Sequence, residues 1–134
     1  MGLGRVGLGN DGRALLGRRA EDLAADLLES LGFRIVERNW RRAEGELDLV
    51  ADDAGVCVFV EVRSRTGLAF GDPLESVTPY KQARVVRAAR CYLAEVAPRA
   101  SGFRFDVIGV TFDEHGAPPR CVHVPDAFRT DGVV

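Results

Sequence analysis

The chain has 134 residues, 46% of them apolar and 28% charged, with a formal net charge of −2. That suits one domain whose core needs no disulfide or metal staple, and it argues against indiscriminate binding to nucleic acid. No apolar run approaches the ~20 residues of a membrane span, and no signal-peptide pattern opens the chain, so a cytoplasmic domain is expected.

Residues 1–11 are glycine-rich and read as a loose tail. Gly2 to Gly7 matches a dinucleotide-binding fingerprint in letters only, because no strand precedes it. From Gly12 to Leu31 the pattern is helical: Leu16, Ala20, Leu23, Leu27 and Leu31 recur at steps of three and four, and Gly32 supplies the C-terminal cap. Glu21 falls at the border of that stripe. It is either a solvated acid paired with Arg18 or Arg19, or a group turned toward a site.

Phe33 to Trp40 reads as a strand, followed by a basic cluster, Arg38, Arg41 and Arg42, around Trp40. Basic residues beside an aromatic suit a nucleic-acid backbone; a solvated turn with a half-buried Trp explains them equally well. Seventeen of the 18 basic residues are Arg, and Lys81 is the one Lys. Arg suits bidentate phosphate contacts, although a GC-rich genome would enrich it too.

The chemistry concentrates between Gly45 and Arg65. Gly45 to Asp53 and Val56 to Val62 read as two strands joined by a tight turn at Ala54-Gly55. The second strand is apolar and β-branched enough to lie inside a sheet, yet it ends in Glu61 and Arg63. Strand alternation sets Glu46 and Asp48 on one face, and Glu61 and Arg63 on one face. If the strands pair, carboxylates converge at one end of an apolar sheet, where desolvation is costly without a cation or donors.

A loop from Ser64 to Val77 follows, broken by Gly67, Gly71 and Pro73. Thr78-Pro79 opens a second helix as cap and first residue, with Val85, Ala89, Tyr92 and Val96 as its apolar stripe. Lys81 sits in the first turn, where the macrodipole disfavours a cation. After Pro98, Phe103 to Phe112 reads as an interior strand returning parallel to Val56–Val62, and Arg120 to Val124 as a short last strand. His115 and His123 show no partner motif. Cys57, Cys91 and Cys121 lack paired metal spacing and fit a reducing compartment. The order is α-β-β-β-α-β-β, one α/β domain over 12–128 with a tail at 129–134.

Acids on neighbouring strands, with another on a packed helix, match the oxygen donors Mg²⁺ takes. Such an ion activates water and neutralises charge on a phosphodiester. Gly45-Glu46-x-Asp48, Phe59-Val60-Glu61-Val62-Arg63-x-Arg65, Phe70-Gly71-x-Pro73-x-Glu75-x-Val77, Lys81 and Arg104-Phe105-Asp106 resemble the YraN family of small bacterial proteins. That family is similar to Holliday-junction-resolvase-type nucleases of the restriction-endonuclease-like superfamily. The resemblance spans about residues 17–128.

The resemblance implies a restriction-endonuclease-like fold, a central mixed sheet flanked by helices. It implies Mg²⁺ or Mn²⁺ held by Asp48, Glu61 and the Val62 carbonyl, with Glu21 binding directly or through water and Glu46 as an alternative. It implies DNA, branched rather than plain duplex, as partner, contacts from Arg38, Arg41, Arg42 and Arg65, and a homodimer by analogy. The catalytic Lys of the superfamily falls on position 63, where this chain has Arg63. Arginine cannot act as a general base, so cleavage is expected to be reduced unless Lys81 supplies the amine. The alternatives are an Arg63 that pairs with Asp48 or Glu61 and fills the metal position, and an inactive module of nuclease fold that binds nucleic acid or protein.

Overall fold

A computed structural model describes residues 10–67 and 73–130. The glycine-rich stretch 1–9, the Leu68–Asp72 segment with the Phe70-Gly71 motif, and residues 131–134 lie outside the described residues. The elements run α1 (Asn10–Ser30), β1 (Arg34–Arg42), β2 (Gly45–Asp53), β3 (Val56–Thr66), a 3-10 turn (Pro73–Ser76), α2 (Pro79–Val96), β4 (Gly102–Phe112) and β5 (Arg120–Phe128). The predicted order holds, in a mixed α/β arrangement. Several bounds move: β1 runs on to include Arg41 and Arg42, β3 extends to Thr66, and β5 continues to Phe128.

One five-stranded sheet has spatial order β1-β2-β3-β4-β5. The β3–β4 pair is parallel and the others are antiparallel. A parallel pair needs a crossover, and α2 provides it. The β2–β3 hairpin turns at Ala54 (φ 50°) and Gly55 (φ 94°), the two successive positive-φ residues that match the twist of the flanking strands.

Each face of the sheet carries one helix and one core. On the α2 side, Val85, Val86, Ala88, Ala89 and Tyr92 pack with Trp40, Leu47, Val50, Phe59, Phe105 and Val107. On the α1 side, Ala20, Ala24, Ala25 and Leu28 pack with Leu49, Ala51, Val58, Val60, Ile108 and Val110. The seam of α1 is therefore built on alanines, which bring its backbone close to the sheet. Leu16, Leu23 and Leu27 flank it, and Leu31, expected in the stripe, is 54% exposed. Val96, expected in the stripe of α2, is likewise exposed, in the last turn of the helix.

Two glycines set the approach of elements around the acidic strands. Gly45, at φ 150°, brings the start of β2 onto α2, where a Cβ would meet the Arg84 carbonyl at 3.2 Å and the Ala88 Cβ at 3.3 Å. Gly109 in β4 accepts the ring of Pro73 against its bare backbone, which seats the 3-10 turn over the sheet next to Arg63, the ladder partner of Gly109.

Candidate active site: a carboxyl pair in a cationic cleft

The pairing of β2 with β3 ends at Leu49↔Val60. Continuing that register would set Val62 opposite Leu47, but the strands part instead, and Asp48 occupies the fork. Leu47 belongs to the α2-side core and Leu49 to the α1-side core, so simple alternation breaks at Asp48. The Val62 N–H, left without a ladder acceptor on β2, donates to Asp48 Oδ2 at 2.8 Å. Val62 thus enters through its N–H, a contact the sequence did not show, because it follows from the fork and not from the strand pattern.

Glu61 projects from β3 to the α2 side, on the same face as Phe59 and Cys57. Its carboxyl group and that of Asp48 hydrogen-bond one another. Burial, then the charge of Glu61, holds the Asp48 carboxyl well above the usual carboxylate range, opposed by the Val62 N–H. Burial also raises Glu61; the hydrogen bond from Asp48 and the Arg63 and Lys81 charges pull the other way. Both carboxyl groups are therefore easier to protonate than free ones, and they titrate as a pair.

These acids form the floor of a cleft of about 180 Å³ lined also by Glu46, Arg63, Lys81, Arg84 and Val85. Three acids below and three cations around them give it both signs of charge. Arg63 stands between the roles expected for it. Its Nη1 lies 3.6 Å from Glu61, while its Nε donates to Ser76 Oγ at 3.3 Å. The Ser76 hydroxyl in turn donates to the Pro73 carbonyl at 2.7 Å. The guanidinium is drawn toward the 3-10 turn and makes no close fork on the carboxyl pair. Lys81 lines the same cleft from the first turn of α2, its N–H capped by the Thr78 side chain.

Glu21 is placed differently from the expectation that it faces this cleft. It accepts from Asn39 Nδ2 at 3.0 Å and lines a neighbouring cleft between α1 and β1. The two sites adjoin: burial raises the Glu21 pKa, the Asn39 hydrogen bond lowers it, and the nearby Asp48 charge raises it further. Among the described residues no three acidic, His or Cys side chains converge into one metal cage.

Three of the four arginines of β1 already have carboxylate partners. Arg38 pairs with Asp22 at 2.6 Å, Arg41 with Glu46 at 2.8 Å, and Arg42 with Glu95. Arg42 also lies over Trp40, 4.3 Å from the ring centroid. Trp40 itself is buried against Tyr92, rings 5.3 Å apart, not half-exposed in a turn. Arg65, at the far end of β3, stands outside the residues that line the cleft.

A second buried acid was missed. Asp106 is wholly buried and accepts from Arg104 Nε at 3.0 Å and from the Asp126 N–H at 2.9 Å. It also lies 2.8 Å from His123 Nε2. His123, read as partnerless, is hydrogen-bonded to Asp106 across β4 and β5. The available signal was Arg104 and Asp106 at i,i+2 in an apolar strand, the same pattern as Glu61 and Arg63.

The sequence profile of the uncharacterised protein family UPF0102 matches residues 20–110. The chain belongs to UPF0102. This is the YraN family whose motifs the sequence carries. UPF0102 proteins of Anaeromyxobacter dehalogenans, Pelotomaculum thermopropionicum and Rhodococcus opacus are 49%, 48% and 45% identical to it, over 96%, 88% and 84% of the chain and 95%, 98% and 95% of their own lengths. The UPF0102 match covers α1 from Ala20, all of β1 to β3, α2 and most of β4, and so includes every residue lining the carboxyl cleft.

Proposed function

We propose that this UPF0102 protein is a nuclease-type protein acting on DNA phosphodiesters with Mg²⁺ or Mn²⁺. The observation that carries the reading is the pair of half-buried carboxyl groups, Asp48 and Glu61, at the floor of a cleft rimmed by Arg63, Lys81 and Arg84. Acids withdrawn from water are normally neutralised by fixed cations or full sets of donors, whereas this pair has the Val62 N–H on Asp48 and a single guanidinium 3.6 Å from Glu61. Two carboxyl groups side by side are hard oxygen donors that fit a hard divalent cation, which commonly takes only one or two protein carboxylates.

Asp48 and Glu61, with the Val62 carbonyl, would hold the ion. When bound it supplies an activated water and charge neutralisation at phosphorus. The remaining roles fall to the chain's own side chains. Arg63, steadied by Ser76, presents a fixed guanidinium suited to phosphate oxygens but not to proton removal. Lys81 is the amine at the cleft. Branched DNA and a homodimer follow from the resemblance to junction resolvases. The contact of Arg63 with Glu61 at 3.6 Å favours a second reading, an inactive module that keeps the fold and binds nucleic acid or protein.

The deciding experiment incubates the protein with four-way, single-stranded and duplex DNA in Mg²⁺, Mn²⁺ or EDTA. Slow metal-dependent cleavage is expected, roughly 10²-fold faster in Arg63→Lys and absent in Asp48→Asn. A metal-insensitive gel shift without cleavage by either protein selects the inactive module.

A further inference from the structure

We infer that the cleft between α1 and β1 is a second phosphate-binding site, so that the substrate is a polynucleotide whose backbone passes over the end of the sheet from one face to the other. The inference rests on the nuclease-type reading and adds residues and a substrate class to it.

The cleft is lined by Leu15, Arg18, Arg19, Glu21, Asp22, Arg38 and Asn39. Its polar contacts fix its shape: Asn39, at φ 52° in β1, reaches Glu21, and Arg38 reaches Asp22 at 2.6 Å. Asp22 and Arg38 neutralise each other, and the Arg19 guanidinium is held over the Phe112 ring, 5.1 Å from its centroid. Arg18 makes no ion pair or hydrogen bond among the described residues and stands exposed at the rim. Leu15, 60% exposed on the same rim, offers an apolar surface for a sugar or base.

The position of this cleft decides what it binds. Asn39, which holds Glu21, lies between Arg38 and Trp40, the ladder partners of Leu49 and Leu47, so it stands beside Asp48 on the neighbouring strand and the two clefts adjoin there. Lys81 and Arg84 on the α2 side and Arg18 and Arg19 on the α1 side therefore flank one acidic fork. A mononucleotide or small phosphate ester fills one cleft only. A chain of phosphodiesters can place one phosphate above Asp48 and Glu61 and a neighbouring one against Arg18, which also positions the reacting linkage.

The test measures binding of labelled oligothymidylates, about twenty nucleotides against three, by fluorescence anisotropy across a salt series in Ca²⁺. Arg18→Glu is compared with Arg99→Glu, an exposed change of equal charge away from both clefts. The expected result is tighter binding of the longer chain. Arg18→Glu should weaken it about tenfold, with a salt slope lower by about one, while trinucleotide binding is unchanged. An Arg18→Glu protein that behaves like Arg99→Glu overturns the inference and leaves the nuclease-type reading standing, as does native protein binding both lengths equally. Stabilisation by Mn²⁺ with no polynucleotide binding has the same meaning. Absence of both metal and nucleic-acid binding removes the nuclease-type reading and the inference together.

Discussion

Two acidic centres, one wholly buried and one half-buried, lie on neighbouring strands of this sheet, one residue apart in the ladder and on opposite faces. Asp106 pairs in register with Val60, and Glu61 with Val107. On the α1 side Asp106 is satisfied by Arg104, His123 and the Asp126 N–H, and Arg104 extends the network to Asp53 at 3.0 Å. On the α2 side Asp48 and Glu61 have the Val62 N–H, a distant Arg63 and one another. What separates the two centres is how many fixed partners each acid has. Asp106 is a fastener for β4, β5 and the end of β2, whereas Asp48 and Glu61 are held in a state that a further cation would relieve.

The contrast breaks most clearly on deletion. Asp106→Ala strands Arg104 and His123 beside a cavity and should cost about 3–5 kcal/mol, read as a lower urea midpoint at unchanged slope. Asp48→Asn should act in the opposite sense in EDTA. The amide still accepts from Val62 and donates to Glu61, so stability at neutral pH should rise by about 1 kcal/mol. A loss comparable to that of Asp106→Ala would show that the pair is as fully compensated as the other centre.

A pH series sharpens the same contrast. Asp48 and Glu61 have folded-state pKa values raised above the unfolded ones. Their contribution is therefore fully present below the unfolded carboxylate range and is lost as pH rises through the raised values. Melting temperature in EDTA should fall across that window in the native protein and flatten in Asp48→Asn. The smallest effect belongs to the exposed pairs of β1: Arg38→Ala or Arg41→Ala should each change stability by less than about 1 kcal/mol. A larger loss would make those arginines structural.

The acidic fork was legible in part: the hairpin turn at Ala54-Gly55 brings the acid-bearing ends of β2 and β3 side by side, but Asp48 reaches Glu61 through a break in alternation between Leu47 and Leu49 that the pattern did not announce. The partners of Asp106 were not legible. The β4–β5 ladder shifts register between Phe105 and Val107, and Asp126 adopts φ 50° to turn its N–H inward, so no sequence spacing links His123 to Asp106. The place of Glu21 was half-legible: the helix border position was visible, but the bulge between Ile35 and Glu37 and the left-handed Asn39, which captures its carboxylate, were not. Trp40 was misread for a related reason. Its neighbours are Arg, but its ring belongs to a cross-sheet contact with Tyr92 that no local pattern announces.

The most direct test of the central claim is a Mn²⁺ titration of melting temperature for the native protein and Asp48→Asn at neutral pH. The claim predicts that Mn²⁺ stabilises the native protein in a concentration-dependent way, by more at higher pH where the shared proton competes less, and leaves Asp48→Asn unmoved. Equal responses in the two proteins, or none in the native protein, would contradict it.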